Sequence, residues 1–189
     1  MRGTACTATV AMTAVLICGT VTIAEERAST SPLRTTNSVL GAAIRDGMER
    51  SRTFRRVAER IATDKGIVYL EAGRCHEVMR SCMLMRLEHA GAYRVLFVMV
   101  DPEQDIIDVT GSIGHELQHV TEILDTNVRT SAAMLAFYLR YGQRIAGHFE
   151  TPAASRIAKI VQRDLHSAKR RHQGVETLAT AARPGDYRP

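Results

Sequence analysis

Two histidines and a glutamate in this sequence stand at the spacing of a metal site. His115, Glu116 and His119 form the pattern H-E-x-x-H within residues 111–124. On a helix, residues four apart lie on the same face, so both imidazoles can reach one ion and Glu116 projects beside them. Zn²⁺ held by two neutral imidazoles lowers the pKa of a bound water, whose proton a nearby carboxylate can take as the water attacks a carbonyl. The spacing therefore predicts a zinc site with Glu116 as general base.

The alternative is a chance arrangement on a polar helix face. The chain has only 7 histidines among 189 residues, so the pattern is rare by chance. Leu117 and Gln118 between the histidines, and Ile113 and Val120 around them, carry no charge, as expected for a helix inside a domain. Ser112 could cap the first turn of this helix. The context favours the metal site.

A catalytic zinc ion normally has three protein ligands, and the motif supplies two. Glu122 lies seven residues after His115, about 10 Å along a helix axis, which is too far to share one ion. We expect Glu122 to orient His119 instead. Asp125 and Glu150 remain candidates for the third ligand, and a helix docked beside the motif helix could deliver Glu150.

Hydrophobic periodicity predicts the elements that position these residues. Two β-branched and aromatic runs predict strands at residues 67–70 and 93–100, and the apolar run at 83–87 could add a third. Apolar residues at helical spacing predict helices at 38–63, over the motif, at 132–141 and at 152–165. Ser51 could divide the first of these into two helices, and Thr151 could cap the last, where Pro152 fits the first turn.

The first 24 residues have the pattern of an export signal. Arg2 precedes an uncharged stretch at 3–24 with an apolar run at 8–18, and the small residues at 22 and 24 suit cleavage after Ala24. An uncleaved anchor is the alternative, since about 20 uncharged residues can cross a bilayer. We therefore expect a periplasmic or secreted protein whose membrane contact, if the signal is not cleaved, is through this segment only. The polar residues 25–37 are typical of a tether without fixed structure.

Cleavage after Ala24 would leave Cys75 and Cys82 as the only cysteines. Two cysteines in an oxidising compartment predict one disulfide, which would close a short loop. A metal pair with His76 is the alternative, although its spacing departs from known zinc sites.

Composition is that of one ordinary globular domain, which we place at residues 38–168. Hydrophobic residues make up 45% of the chain and charged residues 24%. The net charge of +5 comes without a basic stripe interleaved with aromatics, so no nucleic-acid partner is indicated. Residues 169–189 have the composition of a basic, flexible tail.

The order of strand and motif in residues 93–124 resembles the gluzincin branch of the zincin metallopeptidases, in which a glutamate from a later helix completes the zinc site. The order of elements from about 51 to 165 is also similar to a group of small exported bacterial proteins of unassigned function. The resemblance implies a minimal α+β zincin-like domain, a short sheet with an active-site helix and flanking helices. It also implies zinc ligands at His115, His119 and Glu150, and a strand at 93–100 along which an extended substrate lies.

Two departures accompany the resemblance. Pro152 leaves Glu150 at the extreme start of its helix. Asp125 stands where the related metzincins, with their longer H-E-x-x-H-x-x-G-x-x-H pattern, place a third ligand, but their turn-forming glycine is Glu122 here.

Two functions are compatible with these features. The first is an exported zinc hydrolase, a metallopeptidase acting on a peptide or cell-envelope amide bond. Tyr138, Tyr141 or His148 could stabilise its oxyanion, although each such residue is more often a packing or surface residue. The second is an envelope binding or structural module that keeps the scaffold without turnover. The sequence indicates no oligomeric state.

Overall fold

The predicted α+β fold is confirmed by a computed structural model, which describes residues 31–76, 79–145 and 148–181. The five helices of this part of the chain are α1 (Ser38–Arg50), α2 (Arg52–Thr63), α3 (Ile106–Leu124), α4 (Ser131–Tyr141) and α5 (Pro152–Ala181). Its six strands are β1 (Leu33–Arg34), β2 (Gly66–Ala72), β3 (Ser81–Ala90), β4 (Tyr93–Val100), β5 (Gln143–Ile145) and β6 (His148–Glu150).

The main sheet has four strands in the order β1-β2-β4-β3. β1, β2 and β4 are parallel, and β3 pairs antiparallel with β4 through a turn at Gly91, whose φ of 60° lies in the left-handed region that glycine tolerates. Leu96 of β4 pairs with Val68 of β2 and with Leu87 of β3. Because both edges of β4 are occupied, the expectation that a substrate lies along residues 93–100 is wrong. The strand at the edge of the sheet beside β4 is β3.

The helices cover one face of this sheet. Val68, Leu96 and Val98 point into the main core between sheet and helices. The positions between them, Ile67, Val95 and Phe97, form a smaller cluster on the other face of the sheet. There the Arg86 guanidinium lies 4.2 Å from the centre of the Phe97 ring. This division follows from the two-residue period of a strand.

The motif helix α3 runs through the core and begins earlier than predicted. Asp105 is its N-cap and accepts a hydrogen bond from the Ile107 backbone N–H at 2.9 Å. Ser112, the predicted cap, lies inside the helix, and its hydroxyl is 3.2 Å from Gln104 Oε1. The helix can start at Ile106 because apolar residues that precede Ser112 are buried at helical spacing.

Close packing of α5 on α3 depends on two glycines. A Cβ at Gly111 would lie 2.7 Å from the Gln162 side chain, and one at Gly114 would lie 3.1 Å from Val161. α5 begins where predicted, since Thr151 Oγ1 accepts a hydrogen bond from the backbone N–H of Ala154, the third residue of the helix.

The domain begins earlier in the chain than predicted. Leu33, inside the predicted tether, is buried in β1 and pairs with Val68, because the edge of β2 offers free hydrogen-bonding groups. Residues 25–30 and the predicted signal lie outside the described residues.

The predicted flexible tail is helical as far as Ala181, since no proline interrupts the chain between Pro152 and Pro184. Residues 182–189 lie outside the described residues. None of the helices in the described part of the chain is both long and apolar enough to span a membrane.

Candidate metal centre

The three motif residues meet on the inner side of α3. Ligand atoms of His115, Glu116 and His119 all lie within 4.8 Å of one another. Glu116 and His119 are buried, whereas the His115 side chain is 18% exposed. The group can therefore hold a metal ion that is reached from one side.

His119 has one ring nitrogen engaged and the other without a partner. Its Nδ1 lies 3.0 Å from Glu122 Oε2, which as a carboxylate oxygen can only accept. Its Nε2 is buried and has no hydrogen-bond partner among the described residues. A buried unpartnered nitrogen costs about 1–3 kcal/mol. A metal ion at Nε2 would remove that cost, so the residues present fit the predicted ion.

Glu122 is itself held by neighbours. Its Oε1 accepts a hydrogen bond from Thr151 Oγ1 at 2.7 Å. The Tyr138 hydroxyl donates to the His119 carbonyl oxygen at 2.9 Å and lies 3.4 Å from Glu122 Oε2. Glu122 therefore makes the contact with His119 Nδ1 that an orienting role requires. The orienting role is a prediction.

Carboxylates dominate the electrostatics of the centre. Burial is the largest influence on His119 and opposes its charge, yet the hydrogen bond to Glu122 with the charges of Glu116 and Glu150 raises its pKa above the ordinary value. Burial likewise opposes charge on Glu122, but its hydrogen bonds with His119 and Thr151 lower its pKa. Negative potential that favours a proton on an imidazole also favours a metal cation.

Glu150 reaches the centre by an unexpected route. Its Oε2 lies 3.3 Å from His115 Nε2, and its Oε1 accepts from the Thr151 backbone N–H at 2.9 Å. It belongs to β6 rather than to a helix. The β5–β6 hairpin, in which Ile145 pairs with His148, was absent from the sequence prediction and places Glu150 beside α3.

The Glu116 carboxylate is positioned by a residue that sequence reasoning missed. Ser81 Oγ donates to Glu116 Oε1 at 2.7 Å. No hydrogen bond of the described residues reaches Oε2. Ser81 is the first residue of β3 and lies 35 residues before Glu116, so no sequence spacing connects the two. The one sequence signal near Ser81 is the adjacent Cys82 of the predicted disulfide.

The predicted disulfide joins Cys75 to Cys82, with Cα atoms 6.1 Å apart. It connects the chain that leaves β2 to the second residue of β3. Asp101 stabilises the same region, because its Oδ2 accepts hydrogen bonds from Arg74 at 3.0 Å and from Arg80 at 2.7 Å. The start of β3 is therefore tied at several points close to Ser81.

A cavity of about 420 Å³ opens over the motif residues. Its walls include α3, the start of β3, and the residues Met83, Met85, Tyr138, His148 and Phe149. His148 Nδ1 is buried without a partner among the described residues. A site of this size admits a side chain with adjoining backbone rather than a folded protein surface.

Two of the predicted site residues are not brought to this cavity. Asp125, at the end of α3, pairs with Arg60 at 2.7 Å and lies outside the cavity wall. Tyr141 is 62% exposed, with its ring 5.1 Å from Phe137. Tyr138 does line the cavity, but its hydroxyl already donates a hydrogen bond to the His119 carbonyl oxygen. Burial raises the pKa of this hydroxyl.

Comparison of the chain with protein-family models, with curated proteins and with solved structures finds no match.

Proposed function

We propose that this protein is an exported zinc-dependent hydrolase, a metallopeptidase of gluzincin type that cleaves peptide or cell-envelope amide bonds. One observation carries the proposal: beside His115 and Glu116, at the wall of a cavity, His119 has a buried ring nitrogen with no partner among the described residues. Two imidazoles and a carboxylate are a donor set that catalytic zinc takes in proteins. His115, His119 and Glu150 would hold the ion, and Glu122 would keep the His119 ring oriented.

The chain supplies the acid and base of hydrolysis. When bound, Zn²⁺ would act as a Lewis acid and lower the pKa of water. Glu116 Oε2 accepts the proton of the attacking water and returns it to the leaving amine, while Ser81 holds Oε1. His148 also lines the cavity, and its Nδ1, which has no partner among the described residues, would be the donor of a hydrogen bond to the developing oxyanion. Tyr138 is less suited, because its hydroxyl already donates to His119.

An extended substrate would lie along β3. This strand is at the edge of the sheet, and its residues Ser81, Cys82, Met83 and Met85 line the cavity. Further along, the Leu87 backbone N–H donates to Ser131 Oγ at the start of α4, which closes the strand edge there. The open edge is thus a few residues long, which favours short peptides or mobile loops.

Metal content tests the site directly. Wild-type protein should contain about one zinc per chain by mass spectrometry, and His115→Ala with His119→Ala should contain none at submicromolar zinc. A peptide library screened with and without a chelator then tests turnover. Equal metal content in the wild type and the double variant would show that the ion, if any, binds elsewhere.

Glu116→Gln separates an enzyme from a non-catalytic module that keeps the same scaffold. It retains size and hydrogen bonding but removes the basic oxygen, so zinc should stay while the rate falls about 10²–10⁴-fold. Glu49→Gln, on the exposed part of α1, is the matched control and should leave the rate unchanged. Hydrolysis that survives Glu116→Gln would place the activity outside this centre and favour the binding-module alternative.

A further inference from the structure

The outward side of α4 is apolar although it faces solvent. Leu135 is 41% exposed and Leu139 62%, and Ala132 and Ala136 beside them are also exposed. At about 100° per residue these four positions lie on one side of the helix. The opposite side is also apolar and is buried in the core. A helix that is apolar all round normally has both sides covered, so the outward side lacks its partner.

The chain just before, at the end of and just after α4 carries arginines that form no ion pair among the described residues. Arg129, Arg140 and Arg144 are exposed, and none forms an ion pair among the described residues. The sequence has no acidic residue between Asp125 and Glu150. The stretch between these two acidic residues is therefore net positive.

We infer that the α4 face, formed by Ala132, Leu135, Ala136 and Leu139, docks on an anionic phospholipid surface. Leucine side chains of such a helix enter the boundary of the acyl chains, and basic residues next to them lie at the level of the phosphates. Arg140 at the end of α4 and Arg144 in β5 are the exposed basic residues that follow this face in the chain. Each basic residue adds about fivefold to the affinity for anionic lipid.

A second copy of the chain is a poorer partner for the same face. A two-fold contact would bring identical patches together, so the arginines of both copies would meet without intervening carboxylates. Like charges at such distances repel, whereas lipid phosphates supply the opposite charge.

Docking would place the cavity close to lipid. Tyr138 lines the cavity from the inward side of α4, and a helix with its side chains is about 10 Å across. A membrane-proximal location does not depend on whether the metal centre is catalytic. It would add a second membrane contact to the one predicted for an uncleaved N-terminal segment.

The absence of tryptophan from the chain allows a site-specific test. Leu139→Trp places one fluorophore on the α4 face, and Val39→Trp, at a position 39% exposed on α1, is the matched control. Phosphatidylglycerol vesicles should shift the emission of the first variant to the blue, and brominated lipid should quench it. Phosphatidylcholine vesicles should have little effect, and the control should respond to neither. An N-terminal anchor, if retained, would not by itself bring residue 139 into lipid.

The charge requirement is tested in the Leu139→Trp protein. Arg140→Gln with Arg144→Gln should raise the lipid concentration for half-maximal response about 25-fold. Arg52→Gln with Arg56→Gln removes the same charge from exposed positions on α2 and should change it less than twofold. A matching loss in both pairs would mean that only net charge matters and would overturn the assignment of this face.

Two other results would overturn the inference. The first is emission at residue 139 that is unaffected by anionic vesicles. The second is a blue shift that needs no lipid and grows with protein concentration, which would assign the face to self-association.

Discussion

Single side chains around His119 decide which of its nitrogens is available to a metal, because Glu122 Oε2 lies 3.0 Å from Nδ1 and can hold a proton there. With Nδ1 protonated, the lone pair of a neutral ring is on Nε2, the buried atom to which no described residue bonds. Thr151 in turn fixes the other oxygen of Glu122. Metal affinity should therefore depend on residues that do not touch the ion.

Glu122→Gln should weaken zinc binding about 10–100-fold, as is typical for partners of metal-bound histidines. The amide can still reach His119 but no longer supplies a negative charge to its ring. Competition with a fluorescent chelator measures the change. Asp125→Asn is the control, because Asp125 pairs with Arg60 outside the cavity. A larger loss from Asp125→Asn than from Glu122→Gln would contradict the assignment.

Ser81→Ala should lower the turnover number roughly tenfold while the zinc content stays at the wild-type level. The reason is that Glu116 Oε1 would lose its donor at 2.7 Å and the buried carboxylate would no longer be held in place. Ser81→Thr keeps the hydroxyl and should recover much of the rate. Steady-state kinetics on the best peptide of the screen, with metal analysis of each variant, provides the check. Unchanged turnover in Ser81→Ala would show that Glu116 needs no such support.

At the scale of elements, the C-terminal end of α3 is held by a side chain from the sheet. Arg94, on β4, is buried and donates hydrogen bonds to carbonyl oxygens at the end of the helix and in the loop that follows. The acceptors are Ile123 at 3.1 Å, Leu124 at 2.5 Å, Thr126 at 3.0 Å and Val128 at 3.2 Å. The last carbonyls of a helix have no partner within it, so one guanidinium replaces several missing donors.

Arg94→Leu should lower the free energy of unfolding by roughly 3 kcal/mol, because buried carbonyl oxygens would lose their donor. Urea denaturation followed by circular dichroism measures it. Arg52→Leu, at an exposed position on α2, should change stability by no more than about 0.5 kcal/mol. Equal effects of the two substitutions would show that the Arg94 hydrogen bonds add nothing to stability.

Asp101 joins the end of β4 to the loop before β3 and should make stability depend on pH. The backbone N–H of Glu103 and the Arg80 guanidinium lower the pKa of Asp101 below its ordinary value of 3.8, although burial of the carboxyl opposes them. A lowered folded pKa stabilises the fold above the unfolded pKa, and that contribution is lost as the pH falls through the folded pKa.

Asp101→Asn should therefore reduce the melting temperature at pH 7, and the difference from wild type should shrink as the pH falls below about 4. Thermal melts between pH 2.5 and 7 measure it. Asp108→Asn, on α3, is a control for loss of an acidic side chain elsewhere. A difference that stayed constant down to pH 2.5 would mean that Asp101 acts through shape rather than charge.

At the scale of the whole molecule, the disulfide and the N-terminal segment make a joint prediction about export. Protein recovered from the periplasm or medium should begin near Glu25 and should have a mass two hydrogens below that of the reduced chain. The reason is that the signal is removed and Cys75 is joined to Cys82. Intact mass with and without reductant reports both. An unprocessed N-terminus or two free thiols in such a sample would contradict the predicted compartment.

Local patterns predicted much of this molecule because they act over one or two turns of chain. The H-E-x-x-H spacing needs only a helix to bring His115 and His119 together, and helical periodicity predicts that helix without knowledge of its neighbours. The bounds of β4 and the capping of α5 by Thr151 were predictable for the same reason.

Tertiary contacts decided the rest, because the residues concerned are distant in sequence and their pairing leaves no periodic trace. Ser81 meets Glu116 across 35 positions, and Glu150 reaches His115 through a hairpin of two three-residue strands, too short to leave an alternating pattern. Leu33 joined the sheet because β2 had an open edge, which is a property of the assembled sheet. The sequence by itself determined which side chains could hold a metal, and the packing of α3 against β3, β6 and α5 decided which of them meet.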